Sequence, residues 1–252
     1  MSTTRKTEMD NEKYLYDQVL LGRKKTCGKE LFEATVNGRK EYNPIDEERA
    51  LKVIRYAMEY YLGWSPSQVW DGLNDEVINK MKLGLLVNQR IKFPVELVDR
   101  EEIIKYLVCR LYPKIFHYKP ERAVEAYYDR ILAGEITRFK KGFFTKEDES
   151  GKDRAAICLR RALELDGRFT NLEAMYDYFC TSEGRQFIST HKLNSACRDL
   201  FEFPICFLHY AVYPLIPKEK KNYFQCYYYR CYFEEVNSKQ KRRYRKQNIF
   251  IA

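Results

Sequence analysis

The chain has 252 residues, room for one large domain or two of ordinary size. Hydrophobic residues make up 45% and charged residues 32%, a balance that speaks against a disordered chain. The net charge is +9, of which residues 237–252 supply +6 and leave a nearly neutral +3 for the rest, so the basic character is local.

No run approaches the ~18 apolar residues of a membrane span, and no membrane partner is expected. The opening stretch MSTTRKTEMDNEKY lacks an apolar core that would mark a signal peptide. The expectation is a cytoplasmic protein with its 8 cysteines as reduced thiols.

In chain order, a first helix closes at Gly22, and a polar stretch with Gly28 and Gly38 follows. Ala50, Val53, Ile54, Ala57, Met58, Tyr61 and Leu62 then recur at helical spacing up to Gly63. Ser65-Pro66 reads as a cap and first helical residue, starting a short helix through Val69 and Trp70 to Gly72. Asn74 caps a further helix carrying Val77, Ile78, Met81 and Leu83. A short helix, a tight turn with glycine and a second helix make the outline of a helix-turn-helix. Phe93-Pro94 breaks the chain. A last helix with Ile103, Ile104, Leu107, Val108 and Leu111 ends at Tyr112-Pro113.

A second series follows. One helix closes at Gly134, and Gly142 and Gly151 mark a loop-rich stretch. Ala155, Cys158, Leu159, Ala162 and Leu163 form a helix ending at Gly167. Asn171–Phe179, then Ser182 as a cap before Phe187 and Ile188, repeat the paired-helix outline. Phe203-Pro204 breaks the chain again, before a helix from Phe207 to Tyr213. Asn222–Phe233, NYFQCYYYRCYF, suits an aromatic strand and a buried helix equally.

The two series align. Tyr16-Asp-Gln-Val-Leu-Leu-Gly22 stands above Tyr128-Asp-Arg-Ile-Leu-Ala-Gly134, and Phe32 falls on Phe144. Arg49-Ala50 matches Arg154-Ala155, Lys82-Leu83 matches Lys192-Leu193, Phe93-Pro94 matches Phe203-Pro204, and Tyr112-Pro113 matches Tyr213-Pro214. The matches keep their order. The expected fold is therefore mainly α, with two tandem helical modules over 1–115 and 116–236 and a basic tail over 237–252. A minor strand near the C-terminus stays open.

Four constellations bear on chemistry. In a helix-turn-helix reading, the second helix of each pair faces a DNA groove. Its exposed residues are Asn74, Asn79, Lys80 and Lys82 in the first module, and Arg185, Gln186, Ser189 and Lys192 in the second. Arg and Gln suit the edges of guanine and adenine. Asp75 and Glu76 open the first of these helices, favouring its dipole but repelling phosphate. A purely structural helix pair has the same pattern.

The tail KQKRRYRK, with Lys239, Lys241, Arg242, Arg243, Arg245 and Lys246, is an electrostatic anchor for nucleic acid or an acidic surface, and otherwise a solubilising terminus. Cys206-x-x-His209 with Cys226 and Cys231 offers a zinc set, against which stands cysteine as a small buried hydrophobe. His117, His191 and His209 sit in no catalytic motif, and no cofactor loop is present, so neither enzyme activity nor a cofactor is expected. The acid runs Asp46-Glu47-Glu48 and Glu147-Asp148-Glu149 read as solvated charges.

The motifs Arg55-Tyr-Ala-Met-Glu-Tyr-Tyr-Leu-Gly-Trp-Ser-Pro66, Met81-Lys-Leu83 with Lys92-Phe-Pro94, Tyr128-x-x-Ile-Leu-x-Gly134, Cys158-Leu159 and Phe207-Leu-His-Tyr210 resemble an uncharacterised family of Bacillus-type Firmicutes and their phages or mobile elements, a domain of unknown function. The resemblance runs from about Tyr16 to Tyr229 and implies a bacterial cytoplasmic protein without an assigned activity. The functional expectation is a DNA-binding regulator. The alternative is a protein-interaction module anchored by Tyr227, Tyr228, Tyr229 and Tyr232.

Overall fold

The computed structural model describes residues 3–25, 43–147, 149–169 and 171–249, with the backbone alone described for 3–11 and 240–249. Gly28, Phe32 and Gly38 fall outside the described residues. Every regular element that is described is helical, so the fold is mainly α. The chain divides into two compact units, Met1–Tyr118 and Lys119–Ala252.

The first unit contains α1 (Thr3–Leu20), α2 (Pro44–Tyr56), α3 (Pro66–Gly72), α4 (Asp75–Lys80), α5 (Gly84–Arg90) and α6 (Arg100–Leu111). Asn43 starts α2, its side-chain oxygen accepting from the Ile45 amide at 2.9 Å. Past Tyr56 the helix widens to a π-turn over Ala57–Tyr61. Ser65 and Gln68 form a capping box at the start of α3. Tyr16, Val53, Ile54, Met58, Leu83, Leu107 and Val108 are buried together in one core. Each such side chain contributes roughly 1.5–3 kcal/mol when fully removed from water.

The acid run at the start of α2 departs from expectation. Asp46 and Glu47 are 3% and 1% exposed, not solvated. Arg90 meets Asp46 at 3.0 Å and Arg110 meets Glu47 at 3.1 Å. The arginines arrive from α5 and α6, far along the chain, and offset the desolvation of the carboxylates.

The second unit contains α7 (Pro120–Ala133), α8 (Glu149–Asp166), α9 (Leu172–Phe179), α10 (Ser182–Thr190), α11 (Pro204–Val212) and α12 (Lys218–Ile249). α8 packs on α7 and α11. Arg161 grips Asp129 of α7 through two hydrogen bonds of 2.9 and 2.8 Å, and Arg160 donates to the Ala211 carbonyl at 3.1 Å.

α9 and α10 are joined through Cys180 and Thr181 alone. Thr181, not Ser182, is the cap: its backbone is extended, and its hydroxyl accepts from the Glu183 amide at 3.1 Å. Ser182 is already helical, so its own hydroxyl no longer faces the free amides. The turn is tight enough to require Gly184, where an added Cβ would stand 2.7 Å from the Phe179 Cα.

The segment Asn222–Phe233 is helix, as part of α12. Phe224 and Cys231 are buried at 1% and 3% exposure, two turns apart on one side of that helix. This sidedness resolves the segment as helical, because a lone strand would leave its backbone amides without partners. Residues 237–249, expected as a separate tail, continue the same helix.

Candidate nucleic-acid interface

The two helix pairs with a helix-turn-helix outline are α3–α4 and α9–α10. α4 is a six-residue helix with Asp75 and Glu76 in its first turn. Asp75 is held by Arg100 at 2.6 Å, Asn79 and Lys80 are exposed, and the Asn74 side chain accepts from the Val77 amide at 3.0 Å. Four acids, Asp71, Asp75, Glu76 and Glu101, line the hollow beside this pair. Arg100 offsets Asp75 and Lys105, which also lines the hollow, offsets Glu101, so Asp71 and Glu76 are the acids left to disfavour phosphate there.

Lys82 and Lys192, both named from sequence as groove contacts, have another occupation. The Lys82 ammonium donates to the Val19 and Leu20 carbonyls at 2.9 and 3.4 Å. The Lys192 ammonium donates to the Ile131 carbonyl at 2.6 Å. These carbonyls belong to the last turns of α1 and α7, where the Val19 and Ile131 oxygens also accept from the amides of Gly22 and Gly134 at 3.1 and 3.2 Å. Both lysines sit at positive φ, +53° and +58°. Beside them, the Tyr16 hydroxyl donates to the Met81 carbonyl and the Tyr128 hydroxyl to the His191 carbonyl, each at 2.8 Å. The charges are thus used to close helix ends inside each unit.

On α10, Arg185 and Gln186 are exposed, and Ser189 accepts from the Asn194 side chain at 3.1 Å. Arg185 forms an ion pair with Glu235 of α12. One turn further along α12, Lys239 donates to Glu202 at 2.6 Å. Beyond it lie Lys241, Arg242, Arg243, Arg245 and Lys246, on helical backbone. Sequence reasoning identified these cations but missed Glu235 and Glu202, because pairs about 40–50 residues apart leave no local signal.

The proposed zinc set does not converge. Cys231 is disulfide-bonded to Cys180, with Cα atoms 5.7 Å apart, and Cys226 is exposed. Not all eight cysteines are therefore thiols. Cys206 lies 3.5 Å from the Tyr228 hydroxyl, and burial pushes its thiol pKa up. No three described His, Cys, Asp or Glu residues are grouped to hold a metal ion. His209 stacks on Tyr228 with ring centres 4.1 Å apart, and its Nδ1 lies 2.7 Å from the Tyr176 hydroxyl. Burial pulls the His209 pKa down to about 4 and so favours the neutral ring, only partly opposed by a hydrogen bond to Gln225.

The expected aromatic anchors divide. Tyr227, Tyr228 and Tyr232 are half-buried, with Tyr227 bonded to Asp177 of α9. Tyr229 and Phe233 are 50% and 58% exposed and stack one turn apart.

These features define a mainly helical protein with a long helix, α12, that carries a cationic run. Residues 124–218 match the family described as Protein of unknown function (DUF4046). The matched stretch lies wholly within the second unit and stops where α12 begins. No curated protein and no solved structure matches the chain. Among the described residues, no helix is long and apolar enough to cross a membrane.

Proposed function

We propose that the protein is a DNA-binding regulator that makes contact through the second unit, with the cationic end of α12 as its phosphate anchor. The observation that carries this reading is a helical backbone through a stretch with six cations and no acid. Lys241, Arg242, Arg243, Arg245 and Lys246 fall within six residues of that backbone, a dense row of charge. Such a row suits a polyanion whose charges follow every ~1.7 Å of duplex axis. Gln186 and Arg185 on α10 are the available base readers; Arg185 would exchange Glu235 for a base or phosphate. The acids around α4 support a reading in which the first unit has a secondary role.

We also read the two units as diverged copies of one module, in a protein of a Firmicutes bacterium, phage or mobile element. The matched pairs Tyr16–Met81 and Tyr128–His191, and the lysines at positive φ, support duplication. The source rests on resemblance alone.

Fluorescence anisotropy with a labelled duplex tests the function. Binding at low salt that weakens steeply as salt rises is expected. Absence of binding at low salt removes the reading. The exposed Tyr229–Phe233 pair supports a second reading, a protein-docking surface. Capture of a host protein that persists after nuclease treatment, with no duplex binding, would favour that alternative.

A further inference from the structure

One side of α12 is tied to the rest of the second unit at three successive turns. Cys231 is bonded to Cys180, the residue that closes α9. Glu235 pairs with Arg185 of α10. Lys239 pairs with Glu202. The cationic run from Lys241 begins immediately past this seam. The Lys239–Glu202 pair is exposed on both sides, at 42% and 60%, and holds weakly, whereas the Arg185–Glu235 pair joins an arginine that is 51% exposed to a carboxylate that is 10% exposed. The disulfide, which links residues 51 apart in sequence, is the strong tie.

The two sulfurs differ in access. Cys231 is 3% exposed, whereas Cys180 is half-buried and lines an open cleft of about 570 Å³ with Ser182, Arg185 and Lys239. Of the two, Cys180 is the side from which a thiolate in the cleft would attack. Disulfides open to attack in this way are the labile ones, and in a reducing compartment such bonds are transient. Glu235 adds a second sign. Its Oε2 is buried and, among the described residues, has no hydrogen-bond partner while the disulfide is closed. Reduction turns Cys231, one turn earlier on the same helix, into an S–H donor.

We propose that Cys180–Cys231 is a redox-controlled staple that sets how firmly the cationic end of α12 is held, with a dithiol as its reductant. A thiolate of the dithiol attacks the Cys180 sulfur. The S–S bond breaks, and Cys231 leaves as a thiolate and takes up a proton. The second thiolate of the reductant then attacks the mixed disulfide and releases Cys180, which is protonated in turn. Two electrons and two protons pass to the protein, and the reductant leaves as its own disulfide. An oxidised dithiol reverses the sequence. The staple stands apart from the DNA-binding reading, because it concerns the freedom of α12 and not what α12 touches.

The full chain, isolated without reductant, is alkylated and weighed, and separately digested with trypsin before and after dithiothreitol. In denaturant, Cys109, Cys158, Cys197, Cys206 and Cys226 are expected to alkylate before reduction, and Cys180 and Cys231 only after it. Cleavage within 239–246 is expected to become several-fold faster after it. The C180S/C231S chain is expected to be cut at the faster rate with or without dithiothreitol. Because that variant could fold poorly, circular dichroism of the wild type before and after reduction provides the second measurement, with little overall loss of helix expected. Alkylation of all eight cysteines at the outset, an unchanged cleavage rate, or global unfolding on reduction would overturn the proposal.

Discussion

Lys192 reaches back to the end of α7, where its ammonium lies 2.6 Å from the Ile131 carbonyl. The contact joins a residue after the paired helices to the helix that opens the unit, 61 positions earlier. Lys82 does the same for Val19 in the first unit. A lysine at positive φ is strained by about 1–2 kcal/mol, so its hydrogen bond has to exceed that cost.

Replacement of Lys192 separates the two effects. Lys192→Ala loses the charge-assisted bond and keeps the backbone strain, and is expected to destabilise the protein by about 1.5–3 kcal/mol. Lys192→Gly loses the bond and relieves the strain, and is expected to cost less than the alanine variant. Denaturant unfolding of both variants checks the order. Glycine costing more than alanine would contradict the role assigned to the backbone.

Gly184 marks the closest approach in the second helix pair. An alanine there would place its Cβ 2.7 Å from the Phe179 Cα and 3.0 Å from its carbonyl oxygen, both backbone atoms that cannot rotate aside. Gly184→Ala should therefore separate α9 from α10 and cost about 1–3 kcal/mol. A thermal melt at or above that of the wild type would show that the turn has slack.

His209 makes stability depend on pH. Its folded pKa is about 4, below the usual 6.5, so the unfolded chain binds the extra proton first. Its contribution is complete above about pH 6.5 and is lost as pH falls toward 4. Unfolding of the wild type and of His209→Gln between pH 7 and 4 checks this. The variant should lose less stability over that window, and equal slopes would count against the buried neutral ring.

The cationic end of α12 predicts a salt slope. Replacement of Lys241, Arg242, Arg243, Arg245 and Lys246 by glutamine should lower the slope of log affinity against log salt by up to roughly 4.5, at about 0.9 for each phosphate no longer neutralised. Lys82→Gln should leave it unchanged, because that ammonium already serves carbonyls in the first unit. Duplex titrations across a salt series read both.

Much of the helical course was legible because helices announce themselves locally. The apolar spacing of Ala50 to Leu62, the Ser65-Pro66 start and the Gly134 stop depend on neighbours within a turn or two. The stretch at Asn222–Phe233 was not legible, because rings suit both strand and helix until a packing partner chooses the period. The candidate site was legible as a set of cations and no further. Lys82 and Lys192 look identical in sequence to lysines on an open groove face. Only the placement of carbonyls more than sixty residues away distinguishes them.

By itself, then, the sequence determined the mainly helical character, the course of many of the helices and the local concentration of charge near residues 239–246. Periodicity, caps, breaks and composition are properties of short stretches, and each is satisfied without knowledge of the rest of the chain. The tertiary structure decided which charges are committed and which remain to act. It buried Asp46 and Glu47 against Arg90 and Arg110, turned two lysines into closures for helix ends, and bonded Cys180 to Cys231. The reason is physical: an ion pair, a capping bond or a disulfide depends on distance in space, and helices packed side by side bring together residues that the chain keeps far apart.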